Sequence, residues 1–291
     1  AQINAAVSPT DSLQLAFSAF ETRGRAQYDG GPGCDDRLQS VVNAIRVSAD
    51  MKLSSGWQSN LRIGSTRDQS NFDSAYPGRY RTALDQLAWQ NNVRLTPALN
   101  ALAAVEWRRE SVSSTDLLPV TTRHTTSALL GGDWTQDALR LNASARLDHS
   151  DQYGDRGTAN VGAGYRLGAG WRVLANGGNS FKAPTFNDLY YPGFANPALR
   201  PERGHNADIA LQWSQDSHRA SATLYRNEVR DLIQFVCDAN YDCAPQNVAR
   251  ARLTGLTLAG ATRLGGWRVD GHLDFADPRD ITADRQLARR A

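Results

Sequence analysis

Apolar and polar residues alternate with a period of two along most of this chain, in stretches longer than an ordinary soluble strand. In "ALRLNASARLD", Leu139, Leu141, Ala143, Ala145 and Leu147 fall on one face, and Arg140, Asn142, Ser144, Arg146 and Asp148 on the other. Trp267, Val269, Leu273 and Phe275 oppose Arg268, Asp270, His272 and Asp274 in the same way. So do Ala207, Ile209, Leu211 and Trp213 against Asn206, Asp208 and Gln212, and the pattern returns at Leu13 to Ala19, Trp57 to Ile63 and Leu99 to Trp107. About fourteen segments of roughly nine to fifteen residues follow this rule, a length that suits a tilted strand crossing a bilayer. A spanning helix is excluded, because no apolar run reaches the ~18 residues one needs; "LNALAAV" is among the longest mostly apolar stretches.

The connections alternate too. Tight turns fall near Ser8, Lys52, Leu95, Thr135, Leu167, Gln215 and Leu264, and long links fall at about 24–38, 68–79, 113–122, 150–155, 183–202 and 236–246. Only one end of the sheet is therefore decorated, as in an up-and-down outer-membrane barrel with short periplasmic turns and long external loops. Trp57, Trp107, Trp134, Trp171, Trp213 and Trp267 mostly lie near the tight turns. They read as a girdle at the periplasmic interface, where an indole keeps its ring apolar and its N–H wet, or singly as core aromatics. The expected fold is all-β: a transmembrane antiparallel up-and-down barrel.

The 32 basic and 30 acidic residues are interspersed, and Lys52 and Lys182 are the only lysines, so no basic stripe exists to follow nucleic acid. The first residues lack the charged and apolar regions of a secretion signal. Cys237 and Cys243 frame "CDANYDC", a spacing that closes a small disulfide ring in an oxidising compartment; zinc would need further Cys or His nearby. Cys34 has no partner near it in sequence and reads as a free thiol.

The stretch "NSFKAPTFNDLYYPGFANPALRPERG" at 179–204 sets four prolines among five aromatics. It is expected to run neither as helix nor as inner strand, yet it is too apolar for a disordered linker. Its "SFKAP", "LYYPG" and "ANPALRPE" resemble a passage of the TonB-dependent outer-membrane receptors. "YRNEVRDLIQF" and "NVARARLTGLTLA" resemble their following strands, so the likeness covers nearly the whole chain. Within that family "ARLDHSDQYGDRGT", "WQNN" and "LARRA" are most similar to the cobalamin transporters.

The resemblance implies an outer-membrane receptor of a Gram-negative bacterium, with cobalamin or a ferric siderophore as ligand and TonB and membrane lipid as partners. It implies a complete barrel of about 22 strands. The family's plug domain, TonB box and C-terminal strands have no counterpart here, so residues 1–291 are expected to be a central piece with two open sheet edges, unlikely to function alone.

The loop "AQYDGGPGCDDRL" gathers Tyr28, Asp29, Asp35 and Asp36 around a glycine-rich turn, hard oxygen ligands that suit calcium; the bland alternative is a solvated acidic turn. By resemblance Tyr28 and Asp29 match a calcium-binding pair of the cobalamin transporters and Asp35 or Asp36 a later carboxylate, which makes a partial site. Alignment with the same relatives places Gly30, Asn71, Thr82 and Arg289 at ligand-contacting positions; each is otherwise a plain surface residue. No catalytic residue and no catalytic cofactor are expected. Asp148, His149 and Ser150 are adjacent on a strand and point to alternate faces, so they form no relay. The readings from other classes are a passive porin and an outer-membrane hydrolase.

Overall fold

A computed structural model describes residues 1–28, 35–75 and 77–287. Among these, fifteen strands follow one another in a single antiparallel sheet whose spatial order is the chain order, every neighbour being a hairpin partner. They are β1 (Gln2–Thr10), β2 (Leu13–Tyr28), β3 (Asp36–Ser54), β4 (Trp57–Asp73), β5 (Gly78–Arg94), β6 (Leu99–Ser114), β7 (Thr122–Gln136) and β8 (Leu139–Ser150). They continue as β9 (Gly154–Gly168), β10 (Trp171–Lys182), β11 (Glu202–Gln215), β12 (His218–Cys237), β13 (Cys243–Leu264), β14 (Trp267–Asp280) and the short β15 (Arg285–Gln286). β1 and β15 do not pair, so the sheet is a curved, open wall.

Two expectations need correction. The strands are longer than the alternation implied, reaching 22 residues in β13, because hairpin pairing continues beyond the apolar rows into polar sequence. In β2 and β3, for example, it runs on to Tyr28 opposite Asp36. The long links shrink accordingly. The passage at 183–201 also contains one helical turn, α1 (Phe186–Tyr190). Pro184 and Pro192 flank it instead of entering it, and Thr185 caps it: its hydroxyl accepts from the Asp188 N–H while the Asp188 carboxylate accepts from the Thr185 N–H.

The tight turns all lie on one edge of the wall. At two of them Asp137 and Asp216 adopt positive φ of 51° and 50°, the left-handed geometry that two-residue hairpins require. Gly170, at φ 81°, sits where a Cβ would come within 2.3 Å of the Ser214 carbonyl oxygen, so only glycine fits there.

The sheet has no soluble-type core. It exposes 19257 Å², whereas a globular monomer of its mass exposes about 12,000 Å². Large apolar side chains stand uncovered on the convex face, Leu147 at 68% and Phe275 at 59% of their full area. Much of the buried set is polar instead, including Asp148, Ser127, Arg123 and Glu202. Hydrocarbon is the medium that covers such a face.

The convex rows also show how deep the apolar belt is. Leu99 pairs with Trp134 near the tight-turn edge, and Trp107 lies eight residues further along β6, about 26 Å along the strand and ~20 Å in height once tilted. Trp57, Trp134, Trp171, Trp213 and Trp267 thus mark the tight-turn boundary, and Trp171 meets its register partner Trp213 with centroids 6.3 Å apart and the rings tilted by 44°. Trp107 departs from the expected girdle and marks the opposite boundary. Between the two, Trp89 donates its indole N–H to the buried Ser59 hydroxyl at 2.9 Å, which satisfies a donor where water is absent.

Leu130 lies in one lateral row with Ala103 and Ala145, midway up the belt. Replacing Leu130 by Arg in the full-length receptor in lipid vesicles should lower unfolding stability by about 2–4 kcal/mol. A wall bathed in water on that side would show no loss in the same urea titration.

Candidate functional site

Side chains of opposite parity line the concave face, and there charged groups are hydrogen-bonded to partners on the same or nearby strands. The Arg146 guanidinium donates to Glu106 at 2.9 Å and to both Asp148 oxygens at 3.0 and 3.1 Å. Ser127 donates to Asp148 at 2.6 Å, and Gln86 to Glu106 at 2.8 Å. Nearer the tight turns Asn60 donates to Asp50 at 2.5 Å, and Arg62 to Asn60 at 2.5 Å and to Gln90 at 3.3 Å. Register places these groups opposite one another, so the wall presents a continuous polar lattice to whatever occupies the hollow.

Above this lattice the 183–201 link folds back over the concave side. Its near end is held by Arg123, 7% exposed, whose Nε donates to Glu110 at 2.8 Å and whose Nη1 donates to Gln152 at 2.9 Å and to the Pro184 carbonyl at 3.0 Å. The same guanidinium lies over the rings of Tyr153 and Phe186, at 5.5 and 5.2 Å. Phe186, Leu189 and Leu199, three of the few buried apolar side chains, belong to this link. Its far end is tied to the β12–β13 hairpin. Asn247 accepts from the Arg200 N–H and donates to the Arg200 and Asp231 carbonyls, and Arg200 pairs with Asp231 at 2.8 Å. Glu202, 7% exposed, accepts from the Ile233 N–H at 3.0 Å.

Between the two ends, Tyr191, Phe194 and Phe235 form a ring cluster, with centroids 6.4 and 6.0 Å apart. Cys237 and Cys243 are joined by a disulfide at the tip of that same hairpin. The Asp116 carboxylate beside it, and then burial, raise the Tyr191 phenol above its ordinary range.

The proposed calcium ligands separate. Tyr28 and Asp36 are register partners on the concave side of the mouth. Asp35 instead turns to Arg37 at 2.6 Å and Gln27 at 3.4 Å. Asp29, Gly30 and Arg289 lie outside the described residues, as does Cys34. Among the described residues no three His, Cys, Asp or Glu side chains converge as a metal site. Thr82 faces the hollow, in one lateral row with Asp68 and Val112. Asn71 stands on the convex face, accepting from Gln69 at 3.2 Å and Arg79 at 3.1 Å, so the structure does not bring it together with Thr82. Sequence reasoning missed Arg123, which belongs to no motif, and did not single out Asn247, the first residue of "NVARARLTGLTLA"; each acts only once the long link has folded onto it.

A family model described as "TonB dependent receptor-like, beta-barrel" matches residues 4–289. A vitamin B12 transporter BtuB of Photobacterium profundum is 30% identical over 97% of this chain and 48% of its own length. One of Vibrio vulnificus is 27% identical, over 97% and 47%. The chain therefore spans about half the length of these curated relatives. Among solved structures, the siderophore receptor PirA of Acinetobacter baumannii superposes with a TM-score of 0.80 at 13% identity, over 98% of this chain and 53% of that one. The copper transporter OprC does so at 0.79 and 17%, over 98% and 54%. At these identities the structural likeness concerns the fold.

Two outcomes test the docked link. Arg123→Met leaves Glu110 without its partner and should cost about 1–3 kcal/mol locally; chymotryptic cleavage at Phe186 and Leu189 in the folded receptor then accelerates. Because the Tyr191 phenol is raised in the folded state, its contribution is present below the unfolded phenol pKa and is lost as pH climbs through the folded value. Asp116→Asn should bring the tyrosinate absorbance transition to lower pH, and an unmoved transition would remove Asp116 as its cause.

Proposed function

The chain belongs to the TonB dependent receptor-like β-barrel family and lies in the outer membrane of a Gram-negative bacterium, and from that premise we propose that it forms the central wall of a cobalamin uptake receptor. The family is one of receptors and transporters. The observation that carries the reading is the link at 183–201, tethered to the wall at both ends over a polar hollow, in a chain whose curated relatives are named vitamin B12 transporters. In this proposal the external edge, with its aromatic cluster and Thr82, meets the corrinoid, and TonB supplies energy through the half of the receptor beyond this match. In this proposal the wall passes its ligand on unchanged; Asp148 and Ser150 face the hollow, while His149 faces outward against Asp155, so these three form no relay.

Calcium belongs to the same proposal. Tyr28 and Asp36, register partners at the mouth, support it as two neighbouring oxygen ligands, with Asp29 as a third in this reading.

The test is equilibrium binding of cyanocobalamin to the full-length receptor with calcium and with a chelator. Saturable binding that weakens about tenfold on chelation, a change of ~1.4 kcal/mol, is the expected result. Binding of a ferric siderophore in place of cobalamin, with no calcium effect, would transfer the reading to iron uptake. Ligand-independent conductance would make the wall a passive pore.

A further inference from the structure

The tight-turn edge of the wall carries a charge pattern of its own on the side that faces the hollow. Arg166 on β9 and Arg172 on β10 are register partners there, and so are Arg263 on β13 and Arg268 on β14. Cations directly opposite one another repel, so each pair is disfavoured until an anion lies against it. Arg219 on β12 stands between the two pairs, two residues nearer the edge than the row that joins Arg172, Gln212 and Ser221. Adjacent strands lie about 4.8 Å apart and alternate residues about 6.6 Å, which places the Arg172 and Arg219 backbones ~12 Å apart on an inward-curving arc.

The wall supplies little to neutralise these groups. Asp133 is taken by Arg140 at 3.6 Å, and Asp270 lies 3.8 Å from Arg268. Asp137 and Asp216 occupy hairpin turns, and Arg166 reaches only the Asp137 carbonyl. Further from the edge Asp208 accepts from Asn176 at 2.9 Å and Asp274 from Thr257 at 2.5 Å. Among the described residues Arg166, Arg172, Arg219 and Arg263 make no ion pair. Arg172 is nonetheless held in place: its Nε donates to the Gln212 side chain at 2.7 Å, which leaves both terminal nitrogens uncommitted. Arg166, Arg172 and Arg219 border a cavity of about 700 Å³ together with Gln212, Ser214 and Ser221. Small side chains, Ala259 and Ala261, complete that side of it and leave room in front of the guanidinium groups.

We propose that this cavity binds the phosphodiester of a solute leaving the hollow. A guanidinium fork takes phosphate oxygens in pairs, and the Ser214 and Ser221 hydroxyls are donors for the others. A carboxylate fills one fork, whereas phosphate oxygens point to several sides and span arginines of neighbouring strands. The cavity has the size of a small-molecule site, about 300–1,000 Å³. Its inward aspect keeps it from a lipid headgroup on the convex side and from a flat protein surface approaching the edge. The source of the phosphodiester rests on the reading of this chain as part of a cobalamin receptor, since cobalamin carries one; the site itself rests on the arginines.

Two measurements on the full-length receptor test it. In mild detergent, at ionic strength fixed with chloride, phenylglyoxal modification of individual arginines is followed by peptide mass spectrometry. Saturating dimethyl phosphate should slow modification of Arg172 and Arg219 about tenfold, while uncharged trimethyl phosphate leaves it unchanged and Arg203, on the convex face, reacts alike throughout. In cells, R172Q/R219Q should lower uptake of cyanocobalamin about tenfold, with external binding and uptake of cobinamide, which lacks the phosphodiester, unaltered. Equal modification rates with both phosphate esters, or an uptake effect that is absent or the same for both corrinoids, would overturn the proposal. A receptor that binds no cyanocobalamin yet shows the dimethyl phosphate protection would sink the cobalamin reading and uphold the site for another phosphodiester. If R172Q/R219Q does not fold, the protection experiment on wild type decides alone.

Discussion

Everything in this wall follows from the need to satisfy backbone amides where no water reaches them. Inside hydrocarbon an unpaired N–H or C=O costs several kcal/mol, so each strand must lie fully in register between two others. Unbroken pairing from Gln14–Asp50 through Asp50–Asn60 to Asn60–Gln90 is one lateral line of that ladder. Once the ladder is fixed, the pleat leaves each side chain only two directions, lipid or lumen. Leu147 and Arg146 are neighbours in sequence and share no environment.

The lumen face shows what the second direction permits. Charges such as Glu106, Arg146 and Asp148 sit in a partly dehydrated hollow, where isolated ions would be costly, and each is matched by a partner two residues away or on a nearby strand. The polar lattice thus gives the wall a defined chemical surface without a hydrophobic core. The apolar side chains that are buried cluster largely where a link folds back on the wall, and Phe186 and Leu189 supply that small interior between Arg123 and the strands.

The period of two made the strands and their faces legible from residues alone, because lipid and lumen impose opposite preferences on alternate positions. Leu141 against Arg140 is as clear in sequence as in space. Turn positions were legible for a similar reason, since "TQDA" and "LGAG" carry the residues that accept left-handed geometry. Strand ends were not: beyond the belt both faces meet water, the alternation loses its cause, and polar segments such as Arg67 to Asp73 pair without advertising it. The helical turn at Phe186 was hidden because its prolines bracket a four-residue capping signal, and prolines are read more readily as prohibition than as punctuation. Face assignment separated Asn71 from Thr82, a distinction that depends on the parity of two adjacent strands and not on any local motif.

The link at 183–201 is fastened at one end to β7 by Arg123 and at the other to β13 by Asn247, strands that lie six places apart along the sheet. A span attached at two distant points of a curved shell acts as a strut: it resists both flattening and tightening of the arc between them. The aperture at that level is thereby set by one short stretch of chain. A ligand large enough to press on the strut would be felt at once on both sides of the opening.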